Sequence, residues 1–290
     1  MTKTFSYQSM GVIWRVTIGD ELSVEKLNEI KDSVAEQSRI FDETYSRFKA
    51  HSLVAQLSRV SGLVTVPKDL VEMLRWYFKF YDLSGGKITP LVSETLSDWG
   101  YDAEYSLVTK DVIRPVLPLP AVVEIISPTR INLKQPVLFD LGCLGKGYFI
   151  DKLYDYLSSE GLDSFMIDGS GDIRLKGPEP IRVGLEHPHD DKQVIGVVSM
   201  MAGAMASSGI NRRRWREFHH LVEPHLTAPT VGLLSSWVIA ERAVVADALA
   251  TALFLCPPET FSEFEFEYCL INDNLQSRVS TKWPGDLFSS

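Results

Sequence analysis

Apolar positions along this chain follow two periods, and the switches between them mark its elements. Met10 opens a run, Gly-Val-Ile-Trp-Arg-Val-Thr-Ile, with the two-residue alternation of a half-buried strand, and Gly19-Asp20 supplies the turn after it. From Ser23, a side chain suited to cap a helix, Leu27, Ile30, Val34 and Phe41 recur at helical spacing, predicting a helix that ends around Tyr45-Ser46-Arg47-Phe48. A second helical stripe follows Pro67, with Leu70, Met73, Leu74, Tyr77 and Tyr81 on one face, and stops at Gly85-Gly86. Its aromatic residues read as core.

The stretch from Lys110 to Leu138, rich in Val, Ile and Pro, predicts short strands with turns. Val137-Leu-Phe-Asp140 reads as a strand running into a glycine-spaced turn, Gly142-Cys-Leu-Gly145-Lys-Gly147, and a helix with Ile150, Leu153, Tyr154 and Leu157 on one face takes over. Next come a strand at Ser164-Phe-Met-Ile167, a glycine turn at Asp168-Gly-Ser-Gly171-Asp172, strands near Ile181 to Leu185 and Val194 to Met200, and a small-residue turn, Ser207-Ser-Gly209. Val244 to Phe254 is apolar and helix-forming, Phe264 to Leu270 alternates strictly, and Asn272-Asp-Asn274 offers a hairpin turn before Ser277 to Thr281. Hairpin-like strands with a few long helices predict an α+β fold. No linker, low-complexity tract or repeat divides the chain, so residues 1–290 read as one unit.

Composition narrows the function classes. With 45% apolar residues the chain can bury a sizeable core. A net charge of −9 excludes nonspecific binding to nucleic acid or an anionic membrane, since both require basic surface; only Arg212, Arg213, Arg214 and Arg216 cluster. Cys143, Cys256 and Cys269 are too few and scattered for a disulfide framework or zinc site and are expected to be reduced and buried. The amino terminus lacks the apolar core of a signal peptide and no run reaches membrane-helix length, which predicts a cytoplasmic location.

The helix near the C-terminus carries the first candidate chemistry. Asp247 and Thr251, four residues apart, share one face of an otherwise apolar segment. A buried ionised carboxylate is costly unless compensated, and a hard cation such as magnesium, which takes oxygen ligands, would compensate it. The alternative is that Asp247 is exposed or caps a neighbouring element while Thr251 bonds back into its own helix. Strand, glycine turn, helix at residues 137–157 is a layout that cradles phosphate, although it matches neither the Walker A nor the dinucleotide spacing and can equally be a tight turn.

Taken in order, the fragments resemble the FAD:protein FMN transferase (ApbE) family: Met10-Gly11; Phe41-Asp-Glu-Thr-Tyr-Ser-Arg-Phe48 with Ser52; Ser84-Gly-Gly86 ahead of Thr89-Pro90; Trp99-Gly-Tyr-Asp102; and Phe139-Asp-Leu-Gly-Cys-Leu-Gly-Lys-Gly-Tyr148 with Asp151. The same order continues through Gly169-Ser-Gly171-Asp172-Ile173-Arg174, Ala206-Ser-Ser-Gly209 with Arg212-Arg213, His219-His220 with Pro224, and Ala246-Asp-Ala-Leu-Ala-Thr-Ala-Leu-Phe254. The resemblance implies a T-fold-like architecture and a Mg²⁺-dependent enzyme that moves FMN from FAD onto a Ser or Thr hydroxyl of a target flavoprotein, releasing AMP. Alternatives within the same resemblance are an FAD pyrophosphatase and a noncatalytic FAD-binding protein. It further implies Asp247, Thr251 and main chain at Ala250 and Cys143 as metal ligands. Met10, Phe48, Lys87, Ile88, Thr89, Asp140, Lys146, Gly171, Ser208, Gly209 and Leu221 are implied as FAD contacts. His220 is the candidate general base, because an unperturbed imidazole titrates near neutrality, with Asp247 orienting the acceptor through the metal. His219 then points the other way, while His187, His189 and Asp190 read as a solvated turn.

Four departures from the family pattern stand out. Lys87-Ile-Thr-Pro90 replaces Phe-Asp-Pro-Thr, Glu223 replaces the Asp of His-x-x-Asp-Pro with Ala228 where Gly is usual, Ser58 replaces an Asn, and Ser170 displaces a Gly. They bear on acceptor specificity and turnover more than on the metal pair.

Overall fold

In a computed structural model that describes residues 2–288 (for Arg212, the backbone alone), the chain begins β1 (Lys3–Ser9), β2 (Val12–Ile18), α1 (Val24–Tyr45), α2 (Leu53–Leu57), β3 (Gly62–Thr65) and α3 (Lys68–Leu83). It continues with α4 (Ser93–Asp98), α5 (Leu119–Val122), β4 (Val123–Ser127), β5 (Arg130–Leu133), α6 (Gly145–Ser159) and β6 (Phe165–Asp168). A long hairpin, β7 (Ile173–His187) and β8 (Asp190–Gly209), leads to four two-residue strands, β9 (Arg214–Trp215), β10 (Phe218–His219), β11 (Val222–Glu223) and β12 (Ala228–Pro229). Then come β13 (Leu233–Ala240), α7 (Ala243–Ala252), β14 (Phe266–Asn272), β15 (Ser277–Val279) and β16 (Gly285–Leu287).

Nine strands form one antiparallel sheet in the order β1-β2-β6-β7-β8-β13-β14-β15, with β16 paired to β8, and β3-β5-β4 form a small second sheet. This is the α+β arrangement that the hairpin pattern predicts. Helices α6 and α7 lie on one face of the large sheet, where Ala204, Ala206, Val238 and Ala240 join Phe149, Ile150, Leu153, Val244 and Leu249 in the main core. The opposite face buries Leu175, Val198, Met205, Trp237, Cys269 and Ile271, with Trp283 and Leu287 of the C-terminal strap packed on them. Neighbours such as Trp237 and Val238 point to opposite faces, as a pleated strand requires. No helix among the described residues is long and apolar enough to cross a membrane.

Several sequence expectations shift. Met10 does not begin a strand: with Gly11 it forms the β1–β2 turn, at φ 51° and 74°. Ser23 does cap α1, its side chain accepting from the Lys26 amide at 3.1 Å. Val137 to Asp140 pairs with no strand; Val137 and Phe139 are buried, and side chains rather than a ladder hold the segment. Ser207-Ser-Gly209 is the end of β8 rather than a turn, and the alternating run near the C-terminus is displaced to Phe266–Asn272. All three cysteines are free, but only Cys269 is fully buried.

Candidate functional site

Helices α6 and α7 meet at Gly147. A Cβ there would lie 2.3 Å from the Ala243 carbonyl oxygen and 2.7 Å from Asp247 Cβ, so this approach requires glycine. Each helix also supplies an acceptor to the first turn of the other, where amides lack intrahelical partners. Asp151 of α6 accepts from the Ala243 and Val244 amides at 2.9 and 3.1 Å, and Asp247 Oδ2 of α7 accepts from the Gly147 amide at 2.8 Å. Arg174 and Arg242 pair with Asp151 at 2.6 and 3.3 Å. Burial raises the Asp151 carboxyl above its ordinary range, with the Arg174 charge opposing.

One half of the nonmetal reading is therefore realised: Asp247 caps a neighbouring helix. The other half is not. Thr251 Oγ1 reaches across to Ser208 Oγ of β8, 3.2 Å away, instead of turning back into α7. Beside this pair Asp172, 1% exposed, accepts from the Ser207 amide at 3.1 Å and pairs with the Lys146 ammonium. Burial, then the neighbouring Asp172 charge, hold the Asp247 carboxyl well above the usual carboxylate range, with Lys146 opposing. Burial pulls the Lys146 ammonium down, but Asp172 and Asp247 together leave it raised.

The Cys143 thiol lies 4.0 Å from the Ala248 carbonyl oxygen, which sets the 140–143 segment against the α7 turn bearing Asp247 and Thr251. Burial, then Asp247, push this thiol upward, so it is not a reactive group. The Ala250 carbonyl, an expected ligand, instead accepts from Ser236 Oγ at 2.5 Å. Among the described residues no cluster of three or more His, Cys, Asp or Glu suits a metal. A cation here would rely on the Asp247 carboxylate, the Thr251 and Ser208 hydroxyls, main chain at Cys143, and oxygens of a ligand. That hard, partly filled donor set fits magnesium, which keeps positions for phosphate and water.

Asp140 is held on both oxygens. Oδ1 accepts from the Gly142 amide at 2.7 Å and Oδ2 pairs with Arg47 Nε at 2.8 Å, Arg47 being buried. The Arg47 guanidinium lies over the Phe48 and Tyr101 rings at 4.2 and 4.9 Å. From there Phe48 stacks on Tyr105, and Tyr101 on Trp215. The result is an aromatic wall suited to a flat ring.

Other expected contacts are more constrained. Met10 sits at the hairpin end near the Asp168–Asp172 turn, since β2 pairs Arg15 with Asp168. Gly171, at φ 105°, faces Ser207. Ser208 and Gly209 lie beside β13. The Ile88 amide is committed to Ser84 Oγ, the Thr89 hydroxyl to the Leu91 amide, and the Lys87 ammonium to the Leu255 carbonyl and Glu223. Leu221 donates to His219 Nδ1 and accepts from the Thr230 amide. Glu223 Oε2 also accepts from the Leu226 amide at 2.8 Å, closing the β11–β12 loop. In that loop the left-handed residue is Thr227, at φ 53°, so Ala228 avoids the conformation that its loss of glycine would penalise.

His219 is buried with Nε2 2.9 Å from the Thr230 carbonyl oxygen, and His220 turns the other way, toward the charges of Lys146 and Arg213. Titration near neutrality does not hold for His220 in this setting. Burial, then Arg213, His219 and Lys146, push the His220 imidazole down to about 3. Arg47, Asp172 and Arg213 went unassigned at the sequence level. The signals were an Arg inside the Phe41–Phe48 fragment, the Asp closing the glycine turn, and one basic cluster in an acidic chain.

Fold and site define an α+β protein whose acid-and-hydroxyl cluster lies beside a lysine, glycine turns and stacked rings, chemically suited to a phosphate-bearing ligand with a flat ring system. A family model described as the ApbE family matches residues 10–266, and the chain belongs to that family. It is 24% identical over 267 residues to the FAD:protein FMN transferase of Vibrio cholerae, covering 87% of this chain and 77% of that one. Against the FAD:protein FMN transferase of Treponema pallidum, the identity is 25% over 276 residues, with 85% and 76% covered. In fold it is similar to the ApbE protein of Thermotoga maritima, with a TM-score of 0.86 at 22% identity over 97% of this chain and 98% of that one. The flavin transferase ApbE of Vibrio cholerae gives a TM-score of 0.80 at 18% identity, with 98% of both chains covered.

Proposed function

We propose that this protein transfers FMN from FAD to a Ser or Thr hydroxyl of a target protein, releasing AMP, with Mg²⁺ held by Asp247 and Thr251. The observation that carries this reading is the convergence of Asp247, Thr251 and Ser208 with the Asp172–Lys146 pair at the α6–α7 contact. The names of the relatives support FAD as the donor and a protein as the acceptor.

In this reading Lys146 meets a phosphate or ribose edge while retaining Asp172, and the wall of Phe48 and Tyr101 packs a ring of FAD. The acceptor oxygen attacks the FMN-side phosphorus, the bond from that phosphorus to the bridging oxygen breaks, and AMP leaves with that oxygen. The acceptor proton passes to His220. Bound Mg²⁺ would supply neutralisation of the charge growing on the pyrophosphate oxygens. Positioning by the chain's own residues accounts for the rest.

Incubation with FAD, Mg²⁺ and an acceptor domain tests the reading. Protein-bound flavin fluorescence supports transfer; free FMN without it indicates hydrolysis, and neither product indicates binding alone. A pH profile tests the base. For the free enzyme, kcat/KM for FAD is expected to show no His220 limb near 6.5, since that imidazole sits at about 3. In the complex, pyrophosphate charge offsets Lys146 and Arg213 and lifts the imidazole, so kcat gains an acid limb, falling as pH drops through the raised value. His220→Ala is expected to remove that limb and lower turnover while leaving FAD affinity largely intact. An acid limb that survives the substitution would assign the proton to another group.

A further inference from the structure

We infer that Tyr77, a residue of the apolar α3 stripe, is a positioning residue for the cation site, acting through the Asp140–Cys143 main chain. The inference rests on the cation reading above. Tyr77 is fully buried, and a phenol taken from water into a core needs hydrogen-bond partners. Phenylalanine would fill the same space without that requirement.

Its hydroxyl meets one short segment at both ends. It donates to the Asp140 carbonyl oxygen at 3.1 Å, and the Cys143 main chain lies close to it at the other end. That segment lacks a strand neighbour; its other ties are the Asp140 amide on the Pro90 carbonyl, the Asp140 carboxylate on Arg47 and the Gly142 amide, and the Leu141 carbonyl, which accepts from the Gly145 amide at 2.7 Å. Of these groups, the Tyr77 hydroxyl is the one that lies against both Asp140 and Cys143. Fixing the Asp140 carbonyl beside Cys143 constrains the backbone of the segment and thereby the direction of the Cys143 carbonyl offered to a cation. Groups that orient a ligand in this way typically contribute about 10-fold or more to metal affinity.

The test is Tyr77→Phe in the full chain, with Leu74→Ala, a core truncation on the same stripe, as control. Mn²⁺ binding in the presence of FAD is followed by the electron paramagnetic resonance of free Mn²⁺, and the Mg²⁺ dependence of FAD turnover is measured alongside. Tyr77→Phe is expected to weaken Mn²⁺ binding about 10-fold and to raise the half-saturating Mg²⁺ by a similar factor, with the rate restored at saturating Mg²⁺. Leu74→Ala is expected to lower the melting temperature without moving either constant. Unchanged Mn²⁺ affinity in Tyr77→Phe overturns the inference, as does an equal shift in Leu74→Ala, which would mean general loosening. Absence of Mn²⁺ binding by the wild-type chain would overturn the cation reading itself, a result distinct from either.

Discussion

Asp247→Ala is expected to abolish Mg²⁺-dependent FAD turnover, a loss of about 10³-fold or more, because a metal contributes several kcal/mol to stabilising phosphoryl charge. The substitution has two opposing effects on the fold. It strips the Gly147 amide of its acceptor, a loss of about 1–3 kcal/mol for a buried donor, and it removes a carboxyl that burial and Asp172 already disfavour in charged form. Asp247→Asn separates stability from chemistry, since its amide oxygen can still accept from Gly147. The Asn variant is expected to melt close to wild type yet lose most of its transfer. Thermal melting and protein-bound flavin fluorescence check both statements. Full activity of Asp247→Ala with Mg²⁺ would remove the cation from the reading.

The second large effect is expected from Gly147→Ala, a single methyl. The three atoms nearest the added Cβ belong to rigid parts of α7, the Ala243 carbonyl oxygen at 2.3 Å and its carbon and Asp247 Cβ at 2.7 Å, so no side-chain rotation relieves the clash. The helices must move apart, which overpacking data place at about 3 kcal/mol, a fall in melting temperature on the order of 5 °C for a chain of 290 residues. The same displacement carries Asp247 away from Lys146 and Ser208. FAD turnover is therefore expected to fall at temperatures where the variant remains folded. Wild-type melting and activity in Gly147→Ala would show that the interhelical contact has slack.

The long helices were legible because their apolar residues recur at 3.6-residue spacing and their ends carry local signals: Ser23 before α1, Pro67 before α3, Gly85-Gly86 after it. Strands were legible where one face is wet, as in β2. β13 was not legible. Leu233–Ala240 is buried against helices on one side and against the Leu175–Trp237 cluster on the other, which erases the alternation on which strand reading depends. Val137 to Asp140 failed in the opposite sense. Its apolar alternation reflects burial of Val137 and Phe139, while at its end the Asp140 carbonyl and amide bond Tyr77 and Pro90 instead of a neighbouring strand.

The same division runs through the site. Asp247 and Thr251 were visible because helix geometry alone puts them on one face, and the glycine turns at 142–147 and 168–172 because small residues mark tight main chain. Left undetermined was whether the Asp247 carboxylate would cap a helix or face a cleft; the fold has it bond the Gly147 amide while lying close to Lys146 and Asp172. A histidine can be nominated from sequence, but the burial and neighbouring cations that push His220 down to about 3 come from other segments.

By itself the sequence determined periodicity, caps, turns and the acid–hydroxyl pair, all settled by contacts within a few residues. The tertiary structure decided which of those pieces meet: Tyr77 with Asp140, 63 residues apart, and Gly147 with Asp247, 100 residues apart. Local spacing carries no record of such pairings, because they are fixed only when the helices and the sheet bury their apolar faces together and the remaining polar groups must find partners in the space left.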